Sequence, residues 1–270
     1  MKGPKALFES ENNLVTEMGA WFPGERVVFR GKDLHHDLGD MKWVELYFFG
    51  VTGRTFSEAQ IKIITTIWAY TSFPDPRMWN NRVAALAGNS RSTSALGLSA
   101  ALAVSEASLY GRRLDARALD FFLKMGRLSN NPEMLEREID SYLYRYRYLP
   151  GFGRPVTNID ERTGPLKRVL RQTGLHEGKH ILIVQEIERI LKAKGLKLSA
   201  NFGALTAAIA ADMDLTVQQY QLFAYFAFIA GMAPCFIDQS RKPEGTFFPL
   251  RCEAIIGNTT PARSWTDAGV

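Results

Sequence analysis

Cysteine is scarce in this chain: its 270 residues carry two, Cys235 and Cys252, both in apolar surroundings. Two thiols make no disulfide framework, which excludes a small stapled secreted domain. The expected state is buried, reduced and cytoplasmic. Blocks of Lys and Arg are missing too. A net charge of +5 suits an anionic small molecule, a nucleic acid or a merely solvated surface. With the basic residues spread out, no nucleic-acid partner is expected. Met1 to Ser10 has no apolar stretch of the kind a secretory leader needs. The longest apolar run, Leu222 to Ile237, is short for a bilayer span and contains Pro234. It reads as a buried core helix, and no membrane partner is expected. Strand signals are few: Arg26 to Phe29, and Phe247 to Ile256. There is no internal repeat and no low-complexity linker.

What is present is helix after helix. Ser57 to Tyr70 has helical periodicity, with Ser57 as N-cap and Gln60 at capping-box spacing. Phe73-Pro74-Asp75-Pro76 breaks the pattern, and Met78 to Leu86 resumes it. Ser94 to Leu109 is rich in Ala, Ser and Leu with Gly97 inside, a composition that lets helices approach closely. Leu114 to Met125 and Glu133 to Arg147 are amphipathic; Asp115 is the expected cap of the first, and Asn131 with Pro132 that of the second. Pro165 to Gln172, Ile181 to Lys194, Gly203 to Ala211 and Val217 to Phe236 follow, the last with Thr216 and Gln219 as a second capping box. The class is mostly α, with a little β at the two ends.

One segment stands apart. Leu149-Pro150-Gly151-Phe152-Gly153-Arg154-Pro155-Val156, followed by Asp160-Glu161-Arg162, is irregular and lies between two helical patterns. Such a turn brings backbone close to something and holds polar groups at set angles. It resembles the PGFGH-P-V…DPR motif of the citrate synthase and citryl-CoA lyase family. Further stretches resemble that family in order: Asp33 to Arg54 with its Thr52-Gly53-Arg54 turn; Pro74 to Gly111 with Arg82; Leu198 to Gly203; and Arg251 to Gly257. Together they span about residues 25 to 257.

The resemblance implies an all-α fold of two lobes with a cleft, a large one from 1–114 and 201–270 and a small one from 115–200. It also implies a homodimer, with 94–109 and 217–236 as interface helices. Family enzymes use two histidines and an aspartate; the matching positions are Tyr110, Arg154 and Asn201. An amide has no usable basic site near neutral pH, and a tyrosine would need strong activation to take a proton. Arg154 stays charged and suits a carboxylate or a developing oxyanion. The changed set fits binding and polarising an anion better than removing a carbon-bound proton, so classical citrate synthesis is not expected. What is expected is a related acyltransferase or lyase working on a carbon–carbon bond between a CoA thioester and an oxo acid, or a non-catalytic relative that keeps the ligand. Arg251, His36 and Arg82 are the expected substrate contacts. Arg162, Lys167 and Arg168 are those for coenzyme A, a co-substrate rather than a permanently bound cofactor.

Other features read as ordinary structure. His176-Glu177-Gly178-Lys179-His180 matches the zinc hydrolase pattern. Gly178 weakens a helix there, the third ligand is badly spaced and no metal is expected. Tyr142, Tyr144, Tyr146 and Tyr148 alternate around a helix rather than forming a stacking face. Asp75 could supply a carboxylate to the cleft, yet a turn aspartate before Pro76 is the simpler account.

Overall fold

The computed structural model describes residues 4–11, 16–109, 111–154, 157 and 159–246. They form eleven helices and one three-stranded sheet. After α1 (Lys5–Glu9), strands β1 (Gly19–Phe22), β2 (Arg26–Phe29) and β3 (Lys32–Asp33) pair antiparallel, with Gly19 opposite Phe29 and Val28 opposite Asp33. Helices α2 (Trp43–Thr52), α3 (Glu58–Thr71), α4 (Trp79–Asn89), α5 (Ser94–Val104), α6 (Arg112–Leu128) and α7 (Pro132–Tyr146) follow. Beyond the Gly/Pro turn come α8 (Thr163–Gln172), α9 (Lys179–Ala193), α10 (Phe202–Asp212) and α11 (Val217–Ser240). The helical expectation stands, and β1 and β3 add a sheet where one strand was foreseen. The stretch Phe247 to Ile256 and Cys252 lie outside the described residues. The capping boxes form: the Ser57 N–H donates to Gln60 and the Gln60 N–H to Ser57, and Thr216 and Gln219 do the same. Asn131 caps α7 with Pro132 at its first position.

The chain divides into two compact units, residues 1–70 with 108–226, and 71–107 with 227–270. The expected small lobe, 115–200, lies wholly within the first. In the first unit α10 packs on α6 and α9. Along α6 Ala118, Phe121, Phe122 and Met125 are buried, a stripe at helical spacing. Helix α10 is buried nearly all round, as befits a central helix. Its Thr206 hydroxyl is satisfied by the Tyr220 hydroxyl at 2.8 Å. In the second unit α4 packs on α5. A Cβ on Gly97 would stand 2.8 Å from the Ala87 Cβ and 3.0 Å from the Phe236 ring, and one on Gly88 would collide with the Phe236 carbonyl. Helix α11 is long and apolar enough to cross a membrane by length and composition alone. Tyr220, Phe223, Met232 and Cys235 along it are buried, as in a core helix. Burial pushes the Cys235 thiol up to about 11, which keeps it protonated and unreactive at neutral pH.

Candidate active site

The Gly/Pro turn is held by main-chain bonds. Gly151 and Gly153 have φ of 84° and 81°, the left-handed region that glycine enters without strain. Gly151 is needed on a second count, since a Cβ there would lie 2.8 Å from both Cα and Cβ of Ala204. The Gly153 N–H donates to the Ser199 carbonyl at 2.8 Å, and the Asn201 N–H donates to the Gly151 carbonyl at 2.9 Å. Phe152 and Ala200 thus face each other as a short antiparallel bridge. Asn201 then caps α10: its Oδ1 accepts the Ala204 N–H at 3.1 Å, and its Nδ2 donates to the Gly153 carbonyl at 3.0 Å. Residues 154 and 201, far apart in sequence, become joint neighbours of Gly153.

Charged groups gather at the same place. Asp160 is 3% exposed and accepts two bonds from Arg162, at 2.9 Å from Nε and 2.8 Å from Nη2, plus the Phe202 N–H at 2.9 Å. Burial alone would raise its carboxyl, but these bonds outweigh it and hold the group down at about 2. The Arg162 guanidinium lies 4.4 Å from the centre of the Phe202 ring. Arg154 Nη1 is 2.6 Å from Glu161 Oε2 and 3.7 Å from Asp160 Oδ1. Glu161 is lowered by its own backbone N–H and by Arg154. Lys167 pairs with Glu188 at 3.3 Å, and Glu188 also accepts the Ala200 N–H at 3.0 Å, so this pair braces the bridge. Arg168 is exposed.

A further carboxylate belongs here. Asp115 does not cap α6; the N-cap is Gly111, and Asp115 stands within the first turn. Its Oδ1 is 3.5 Å from the point where a Cβ on Gly203 would lie, and the Oδ1 of Asn201 is 3.1 Å from that same point. Burial pushes the Asp115 carboxyl up to about 6, against the opposing pull of Arg112 and Arg162. Arg112 is fully buried, with its guanidinium 3.4 Å from the centre of the Tyr225 ring and Nη2 donating to the Gln221 carbonyl at 3.1 Å. Burial also raises the Tyr220 hydroxyl, and the Asp115 charge adds to that. The one hint in the sequence is a charged Arg112/Asp115 pair at helical spacing at the head of an amphipathic helix.

The structure thus brings Arg154, Asn201 and Arg162 together, with Lys167 one link away through Glu188. Tyr110 and Arg251 lie outside the described residues. His36 is exposed in the loop after β3, its N–H donating to Asp33 at 2.9 Å. Arg82 is exposed on α4 in the second unit. Asp75, in that unit too, is bound by Arg77 of its own turn at 2.5 Å. The histidine pair of the zinc-like pattern is split in use: His180 Nδ1 is 2.8 Å from Asp212, which also accepts the His180 and Ile181 N–H groups at the start of α9. Among the described residues no group of His, Cys, Asp and Glu is arranged to hold a metal ion.

Solved structures share this architecture. Citryl-CoA lyase from Hydrogenobacter thermophilus superposes with a TM-score of 0.79 at 19% identity, over 93% of this chain and 97% of that one. The chain has the citrate synthase fold. Citrate synthase from Thermoplasma acidophilum, solved with carboxymethyl coenzyme A and oxaloacetate, superposes at a TM-score of 0.62 and 18% identity over 83% of this chain and 58% of that one. ATP citrate lyase from Methanothrix soehngenii, solved with citrate and coenzyme A, superposes at 0.70 and 15% identity, over 97% of this chain but 45% of its own. No protein-family model matches the chain, and no curated protein sequence matches it.

Proposed function

We propose that this protein makes or breaks a carbon–carbon bond between a CoA thioester and an oxo acid, by a route other than classical citrate synthesis. The observation that carries the reading is the meeting of Arg154 and Arg162 around Asp160, beside the N-terminus of α10, on a citrate synthase fold. Two guanidinium groups beside a helix N-terminus suit an anionic ligand. In this reading Arg154 polarises the ketone oxygen of the oxo acid and Tyr110 donates a proton. Asn201 orients the turn, and His36 takes a carboxylate. Arg162, Lys167 and Arg168 face the phosphates of coenzyme A, a co-substrate and not a resident cofactor. The neighbours solved with citrate, oxaloacetate or coenzyme A compounds support that ligand class. The protein is proposed to work in the cytoplasm as a homodimer. Helix α5 supports the dimer, because only Gly97 and Ala101 of its mostly apolar residues are buried while Leu96 is 68% exposed.

Calorimetric titration with acetyl-CoA, citrate and oxaloacetate, followed by assay of thiol release, tests the reading. Binding with release, both weakened by Arg154→Ala, is the expected result. A second reading, ligand binding without catalysis, is favoured by one feature: Glu161 and Asp160 already balance Arg154, and the Asn201 amide is engaged within the turn. Binding without release would select it. Absence of binding to all of these ligands would overturn both.

A further inference from the structure

If the site runs enolate chemistry it needs a base, and the matched positions 110, 154 and 201 hold Tyr, Arg and Asn. The carboxylates nearest the turn are committed: Asp160 to Arg162 and the Phe202 N–H, Glu161 to Arg154, Glu188 to Lys167 and the Ala200 N–H. Asp115 is different. It accepts no hydrogen bond and makes no ion pair with a described residue, and its Oδ1 lies 3.5 Å from the point where a Cβ on Gly203 would stand, with the Asn201 Oδ1, at the matched base position, 3.1 Å from that same point. A side chain at residue 203 would stand against both oxygens. The geometry points to Asp115 as the general base of this site, on the α-carbon of the bound CoA thioester. This rests on the function proposed above.

In the forward step the Asp115 carboxylate takes the α-proton, and the C–H electron pair becomes the enolate, whose oxygen carries the charge. The enolate carbon then bonds to the ketone carbon of the oxo acid, and the carbonyl π pair moves to the ketone oxygen, beside Arg154. That oxygen takes a proton from Tyr110, the donor proposed above, and the proton on Asp115 returns to the tyrosinate, so both side chains end as they began. Cleavage is the same sequence reversed. The charged and titratable groups facing Asp115 are Arg112 on its own helix, Arg162 before α8 and Tyr220 on α11. Burial places its titration near 6, so the carboxylate predominates at neutral pH while remaining basic enough to accept a proton.

The test is exchange of the acetyl protons of acetyl-CoA in deuterated water, followed by proton NMR, with binding measured in parallel by calorimetry. Wild type is expected to bind and to exchange, the rate rising with pH through about 6. Asp115→Asn should bind within a few-fold of wild type, exchange some 10²–10⁴-fold more slowly and lose that pH limb; Asp115→Glu should restore part of the rate. If Asp115 merely balances Arg112, Asp115→Asn would lower the melting temperature and keep both exchange and limb, which overturns the inference. Should Asp115→Asn fail to fold, Gly203→Ala leaves the carboxylate in place and fills its approach. Slowed exchange in that variant supports the assignment, and unchanged exchange overturns it. Wild type that binds acetyl-CoA without exchanging it overturns the base alone and leaves the ligand class standing. Wild type that does not bind acetyl-CoA overturns the reading beneath it as well.

Discussion

The two units hold their helices together by opposite means. In the first, large side chains fill the space between α6, α9 and α10: Phe121, Phe122, Met125, Val184 and Ile187 are each at most 1% exposed. In the second, glycine and alanine let backbones close up, and Phe236 covers the gap between Gly88 and Gly97. A core of the first kind is vulnerable to removal and one of the second kind to addition. The site described above sits in the first kind, where a rigid, filled interior can hold a buried carboxylate and a buried guanidinium in place.

The sharpest way to break the contrast is to remove volume from the first unit. Phe122→Ala should cost about 3–5 kcal/mol, read from the denaturant midpoint. Addition should hurt the second: Gly88→Ala, whose methyl meets the Phe236 carbonyl, should cost roughly 1–3 kcal/mol by the same measurement. Near-wild-type stability in Gly88→Ala would sink the contrast. Asp160→Asn is expected to cost about 2 kcal/mol at neutral pH, the linkage equivalent of its lowered titration. Because the Asp160 carboxyl falls from an ordinary 3.8 to about 2, its contribution is complete above the higher value and fades as pH drops towards the lower. Acid titration of wild type should therefore lose stability in that window, and the variant should lose less. The smallest stability effect belongs to Gly203→Ala. Its gain of about 1 kcal/mol in helix preference opposes the 3.1 Å approach to Asn201, so melting should shift by a few degrees at most while ligand turnover falls. Equal activity would show that the Asp115 carboxylate is not approached past residue 203.

Much of this is legible in the sequence. Ser57 with Gln60 and Thr216 with Gln219 announce helix starts because their side chains bond only a few residues away. The stripe along α6 is likewise a local pattern. The turn at 149–154 advertised a close approach through its glycines, and Ala204 proves to be what it approaches. The place of Asp115 is not legible, for the opposite reason. A capping role is the local reading of an aspartate at a helix start, but besides Arg112 on its own helix its surroundings come from a distance: Gly203 on α10, Arg162 before α8 and Tyr220 on α11. The pairing of His180 with Asp212 was hidden for the same reason, as was the burial of Arg112. Unit boundaries at 70, 108 and 226 were not legible either, since helix α11 runs through the last of them without a break in pattern.

The bridge between Phe152 and Ala200 has one more consequence. Because Gly151, Gly153, Ser199 and Asn201 are joined through main-chain groups, the position of residue 154 does not depend on which side chain it carries. Residue 154 is a socket, and Arg is the bit now fitted to it. Asn201 is instead a rivet, with both ends of its amide fixed in the frame. Descent and engineering should therefore find the two positions unequal: the chemistry at 154 can be exchanged while the scaffold stays put, whereas a change at 201 alters the scaffold and the chemistry together.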